Sequence, residues 1–214
     1  MLSDRAHQII TANSLLILEA QKSNDLQAAC AASSLILADS IGLSWAARRL
    51  QGADPTIIPG IDFAIELCGM AEILSLPVYL LGGKPGVAKG AARALSSRFP
   101  TLSVAGMRDG FFKTEDEEAI IADMTQSKAR LFLLALGMPK QELWIHKNKH
   151  RLPPGVYMGV GGTFDVWAGR LKRAPLWLRK RGLEWLFRFG QEPHRFRRMA
   201  QLPKFALKIL SHRN

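Results

Sequence analysis

Six short apolar runs recur along the first 160 residues, each closed by small or polar residues and most followed by a segment with helical spacing. Residues 8–11 (Gln8-Ile9-Ile10-Thr11) read as a strand ending in Ala12-Asn13, and 14–22 continue with Leu15, Leu16, Leu18 and Glu19 at helical intervals. Residues 34–38 form a second buried-type strand that stops at Asp39-Ser40-Ile41-Gly42, ahead of a helix over 43–50. A third strand, 77–81, runs into Gly82-Gly83-Lys84-Pro85-Gly86 and a helix over 87–98. Strands over 102–105, 130–136 and 156–160 end at Gly106, at Gly137-Met138-Pro139-Lys140-Gln141 and at Gly161-Gly162-Thr163-Phe164-Asp165. Continuous apolar strands separated by helices predict an α/β fold with a mostly parallel, Rossmann-like sheet flanked by helices. In that architecture ligands bind at the carboxyl ends of the strands, where the unusual clusters of this chain fall.

Composition narrows the class. With 48% hydrophobic and 22% charged residues, the 214-residue chain is neither disordered nor fibrous. Its two cysteines, Cys30 and Cys68, make no disulfide framework, and a reduced, cytoplasmic compartment is expected. No apolar run reaches the roughly 18 residues of a spanning helix. The start, Met1-Leu2-Ser3-Asp4-Arg5, carries an acid and no following apolar stretch, so no signal peptide is expected. Five scattered histidines offer no metal-ligand spacing, and no metal or cofactor is expected.

Charge divides the chain in two. Residues 170–214 hold thirteen Lys and Arg against two acids, Glu184 and Glu192, so this segment accounts for the whole formal charge of +11. We therefore expect a body, 1–169, and a basic helical C-terminal appendage, 170–214. In the latter, Trp177, Leu178, Trp185, Leu186, Phe187 and Phe189 interleave with the bases. A basic amphipathic segment rich in Trp and Phe suits an anionic lipid interface, where each basic residue contributes about 1 kcal/mol. RNA binding through the same charges, or a helical cap with a solvated basic face, are the other readings of this pattern; no RNA-recognition motif accompanies it.

Candidate chemistry sits at the strand ends. Gly82-Gly83 opens a helix whose free N–H groups suit a phosphate, although the spacing matches no nucleotide motif. The same glycines also serve a tight turn. Gly162 and Asp165 belong to a second glycine-rich end, where Asp165 either accepts hydrogen bonds from a ligand or caps a helix. Asp39 stands between a dry core and a cleft, the placement a general base wants; it equally suits the cap of the helix beginning near Ser40. Gln141 carries an amide able to donate and accept, and Lys140 can neutralise a diphosphate.

Taken in order, the clusters Thr11-Ala12-Asn13, Ala38-Asp39-x-x-Gly42, Pro59-Gly60-Ile61-Asp62, Leu81-Gly82-Gly83, Gly137-Met138-Pro139-Lys140-Gln141-Glu142-x-Trp144, Gly159-Val160-Gly161-Gly162-Thr163-Phe164-Asp165, Arg173-Ala174-Pro175 and Gly182-Leu183-Glu184-Trp185-Leu186-x-Arg188-x-x-x-Glu192-Pro193-x-Arg195 resemble the WecG/TagA/CpsF glycosyltransferase family. The likeness runs from about residue 8 to about residue 198. It implies transfer of a sugar, often N-acetylmannosamine or its uronic acid, from a UDP donor to a sugar on undecaprenyl diphosphate. It further implies inversion at the anomeric centre, no required metal, and a bacterial cell-surface polysaccharide as the product. An appendage that associates with the inner face of the cell membrane and completes the site is implied as well, and nucleic acid is not an expected partner. Asp39 matches the family's proposed base, and Thr11 and Asn13 match residues of the sugar pocket. Gly162 and Asp165 match a segment near the nucleotide, while Gly42, Asp62, Gly82, Gly83 and Gln141 enter the substrate site through their motifs. Arg188, Arg195 and Arg198 are candidates to stabilise the departing UDP. The chain departs from the family in having Ser40 where glycine is common and no arginine shortly before Gly60. Only about seven residues precede the first strand, which points to an initial strand and helix outside this sequence. A nucleotide-fold binding protein with a basic tail, or a catalytically impaired family member, are the alternatives.

Overall fold

The computed structural model describes residues 4–193, 196 and 200–211; Arg195 and Arg198 lie outside them. Six strands, β1 (Ala6–Ala12), β2 (Leu35–Ala38), β3 (Val78–Gly82), β4 (Val104–Arg108), β5 (Leu131–Ala135) and β6 (Gly155–Gly159), form one sheet in the order β2-β1-β6-β5-β3-β4. Every pairing is parallel. All strands therefore present their carboxyl ends to the same edge, so the clusters read from the sequence converge in space.

Burial follows the alternation of side chains across the sheet. β3 and β5 are buried along their whole length, as a central strand covered on both faces requires. Val78, Leu80, Leu131, Leu133 and Met158 face one layer, packed on α4 (Gly60–Ile73), α5 (Val87–Arg98) and the short α8 (Thr163–Trp167). Tyr79, Leu81, Phe132, Leu134 and Tyr157 face the other, under α6 (Glu117–Gln126) and α7 (Lys140–Asn148). There Phe132 stacks on Tyr157 with ring centroids 4.4 Å apart. Ile10 and Ala12 continue this side under α1 (Ser14–Ala20) and α2 (Asn24–Ala31).

Local capping sets the helix starts. The Asn13 side chain accepts from the N–H groups of Leu15 and Leu16, both at 3.0 Å, and so opens α1. Ser40 caps α3 (Ile41–Gln51) by accepting from Leu43 N–H at 3.3 Å. The cap of α3 is thus Ser40, not Asp39. α2 and α4 are helices that the spacing alone does not announce. β4 also differs from the expectation: it begins at Val104 and passes through Gly106 to Arg108. The glycine is a packing site within the strand, because a Cβ there would fall 2.5 Å from the Tyr79 ring.

Beyond residue 169 the chain continues over the strand ends in α9 (Leu176–Lys180), α10 (Glu184–Gln191) and α11 (Gln201–Ser211). α11 is fastened by Phe205, which packs with Leu18 and Ala46, and by Lys208 Nζ, which donates to Gln21 at 2.5 Å. Removing the buried ring in Phe132→Ala should cost about 3–5 kcal/mol in urea denaturation. Ile73→Ala, at a side chain 81% exposed, should stay within about 0.5 kcal/mol. Similar losses from the two would contradict the layer assignment.

Candidate active site

One cavity of about 1480 Å³ runs along the carboxyl edge of the sheet. Its floor comes from the strand ends and its roof from described residues within 171–191 and 196–206. Eight lysines and arginines and four carboxylates line it among the described residues, which makes it a receptacle for an anionic ligand.

Asp39 sits half-buried where β2 ends. Its Oδ1 accepts from the N–H of Gly60 at 2.7 Å. Gly60 is the first residue of α4, whose start has Pro59 before it and no side-chain cap of its own. Asp39 thus serves as a cap from a distant strand, while Ser40 performs the local duty. Burial pushes the carboxyl up from 3.8 to about 6; the Gly60 N–H and Arg188 oppose the rise, and the charges of Glu184 and Asp62 add to it.

Most residues expected from the sequence meet in this cavity: Thr11, Asn13, Asp39, Gly42, Gly83, Gln141, Gly162, Asp165 and Arg188 all line it. Gly42 allows α3 to approach the start of α1, since a Cβ would lie 2.6 Å from Ser14 Oγ. Gln141 is buried; its Oε1 accepts from Gly161 N–H at 3.0 Å and its Nε2 donates to Glu142 at 2.8 Å. Its amide therefore shapes the turn after β6. Gly162 lies against the Arg188 guanidinium, and a Cβ there would push that group away from the turn. Asp165 is within α8 rather than capping it, because the cap position belongs to Gly162.

Gly82 and Asp62 are not in the lining. Gly82, at φ +134°, is a turn residue: a Cβ would strike the backbone of Ala135 at 2.5 Å. Asp62 instead receives both terminal nitrogens of Arg173 at 2.5 Å. That bidentate pair holds the Asp62 carboxyl below its ordinary range and raises Arg173. It ties the first turn of α4, on which Asp39 rests, to the segment that roofs the cavity.

The model of the WecG/TagA/CpsF glycosyl transferase family matches residues 1–214. The chain belongs to this family. A protein of Bacillus subtilis (strain 168) named N-acetylglucosaminyldiphosphoundecaprenol N-acetyl-beta-D-mannosaminyltransferase is 35% identical over 202 residues, 94% of this chain and 78% of the relative. A protein of the same name from Bacillus spizizenii (strain ATCC 23059 / NRRL B-14472 / W23) is 32% identical over 204 residues, 95% of this chain and 79% of the relative. As a WecG/TagA/CpsF member, the protein is a glycosyltransferase of the hexosyl-transferring kind.

Sequence reasoning missed three parts of this family member's site. Glu184, near enough to Asp39 to raise its pKa, lines the cavity from α10. The Asp62–Arg173 pair joins positions remote in sequence. Gly110, Phe111, Phe112 and Lys113, just after β4, form part of the rim, and Lys140 Nζ lies 4.9 Å from the Phe112 ring centroid. Two aromatics directly after Asp109-Gly110 at a strand end were the available signal for the last.

The raised Asp39 carboxyl has a stability consequence with a definite sign. Between pH 4 and 6 the native state keeps a proton that the unfolded chain has released, so stability falls as pH rises through that window. Asp39→Asn retains an acceptor for Gly60 N–H and loses the charge. It should gain about 1–3 kcal/mol on the parent at pH 7.5 and almost nothing at pH 4. Thermal melts at the two pH values test this, and an equal difference at both would contradict it.

Proposed function

We propose that this chain is an inverting transferase that moves an N-acetylmannosamine-type or related hexose from a UDP donor to a sugar on a polyprenyl diphosphate. The acceptor class follows the printed names of its two relatives. The observation that carries the reading is the Asp39 carboxylate: anchored by one oxygen at the head of the shared cavity and raised in basicity by burial. A base with a pKa near 6 is largely ionised at neutral pH yet still takes a proton well.

The acceptor hydroxyl oxygen forms the new bond to the anomeric carbon from the face opposite UDP. The bond from that carbon to the β-phosphate oxygen breaks, its electron pair leaves with UDP, and the hydroxyl proton passes to Asp39. Arg188 against the Gly162 turn, together with Lys84 and Lys140 on the same cavity wall, supplies positive charge for the departing diphosphate. No step is assigned to a metal or a cofactor. Thr11 and Asn13 border the sugar beside Asp39; Asp165 is the acceptor of hydrogen bonds from the nucleotide. Arg195 and Arg198 remain candidate cations of the same tail.

The enzyme works, in this reading, at the inner face of a membrane. Among the described residues no helix is long and apolar enough to cross one. The supporting feature is the surface of α9 and α11 outside the cavity, where Trp177, Leu207 and Leu210 are exposed and Lys204 and Lys208 supply charge.

Two measurements test the reading. Asp39→Asn should lower kcat by about 10²–10⁴-fold with UDP-sugar affinity largely kept. The parent kcat/KM should rise through an apparent pKa near 6, a limb the variant lacks. Near-normal turnover by the variant would remove Asp39 from the mechanism. In sedimentation with anionic vesicles, neutralising Lys204 and Lys208 with glutamine should weaken binding by roughly thirtyfold, at about 1 kcal/mol per charge. Unchanged binding, or displacement of the parent by RNA at moderate salt, would count against the membrane role.

A further inference from the structure

We propose that the cavity continues past Asp39 into an apolar groove between α1, α3 and α11 that takes the leading isoprenoid units of the lipid-linked acceptor. This inference rests on the function proposed above and assigns part of the same cleft. A volume of about 1480 Å³ exceeds the roughly 300–1,000 Å³ of an ordinary small-molecule site. There is room for more than a nucleotide sugar, and the additional space differs in chemistry.

Lys84 and Lys140, past the ends of β3 and β5, and Arg188 of α10, against the turn after β6, mark the polar side of the cavity. On the other side, α3 leaves Asp39 and presents Ile41 and Trp45, one helical turn apart on one face. Leu15 of α1 and Leu202, Pro203 and Ala206 of α11 complete this wall. The charged neighbour on α11, Lys204, is exposed and takes no part in the lining. Phe205, 5% exposed, closes the back of the groove against Leu18 and Ala46.

The order of these groups identifies the occupant. A hydroxyl that gives its proton to Asp39 belongs to the acceptor, so whatever is attached to the acceptor follows the α3 wall. Where the groove begins, Gly182 packs over Ile41: a Cβ on Gly182 would lie 3.0 Å from Ile41 Cδ1. The adjoining Arg181, and Arg179 before it, line the cavity at that point and suit the diphosphate that joins sugar to lipid. Beyond them the wall offers hydrocarbon. An isoprenoid chain has no hydrogen-bonding groups to satisfy, whereas a peptide or nucleic acid strand would lose its partners there.

Binding of short prenyl diphosphates in vesicle-free buffer tests the groove apart from turnover. Farnesyl diphosphate, below its micelle concentration, should bind the full-length protein at least tenfold more tightly than dimethylallyl diphosphate, which carries the same headgroup. Ala206→Trp, which fills the groove, should abolish that preference while UDP binding is retained; Leu202→Gln should reduce it with less change of shape. Equal affinity for the two diphosphates overturns the groove. A preference that survives in a folded Ala206→Trp protein, judged by circular dichroism, overturns its location. Failure of UDP-sugar to bind or turn over would instead strike the proposed function, and the chain-length comparison reads separately from it.

Discussion

The hydrogen bond from Gly60 N–H to Asp39 Oδ1 joins the end of an edge-side strand to the start of a helix 21 residues later. The rest of the site is arranged around it. Without that amide the carboxylate would lose its hydrogen bond and the largest of the influences that favour its charge. Without the carboxylate, α4 would begin with an uncapped first turn behind Pro59. The residue pair Asp39-Ser40 divides two duties that one side chain often performs: Ser40 closes α3, and Asp39 is left to reach across. Opposing influences then set its basicity: burial, Glu184 and Asp62 favour the proton, while Gly60 and Arg188 favour the charge.

The roof of the cleft is fixed to the same place. Arg173 grips Asp62 in the first turn of α4, so the segment that carries the arginines is registered against the helix whose first N–H holds Asp39. Exposure of the pair limits its worth to stability. Its value lies in geometry, because α10 brings Glu184 and Arg188 to the cleft from a chain segment distant in sequence.

The central strands were legible because β3 and β5 are apolar on both faces, and a parallel sheet needs that. The turns after them were legible because Gly82, Gly83 and Gly161 take positive φ, which other residues rarely adopt. α4 was not, since Gly60–Ile73 is apolar nearly all round and has no polar stripe to set a period. β4 was displaced because Gly106 looks like a terminator, while its true role is to admit the Tyr79 ring. Within the site, Asp39 could be found at a strand end by position alone, while Thr11 and Asn13 came only through the family resemblance. The Asp62–Arg173 contact could not, as it spans 111 residues and neither partner carries a local mark of the other. Asn13 adds a different lesson: it borders the cavity, yet its oxygen is committed to opening α1.

Phe205 gives α11 a mechanical office. Its ring fills a socket of Leu18 and Ala46, while Leu207 and Leu210 on the same helix look outward. A helix pinned in this way cannot swing aside as a free flap without emptying the socket. Its inward side, with Leu202, Pro203 and Ala206, forms part of the cleft wall. A contact made on its outward side is therefore made on the same rod that walls the cleft.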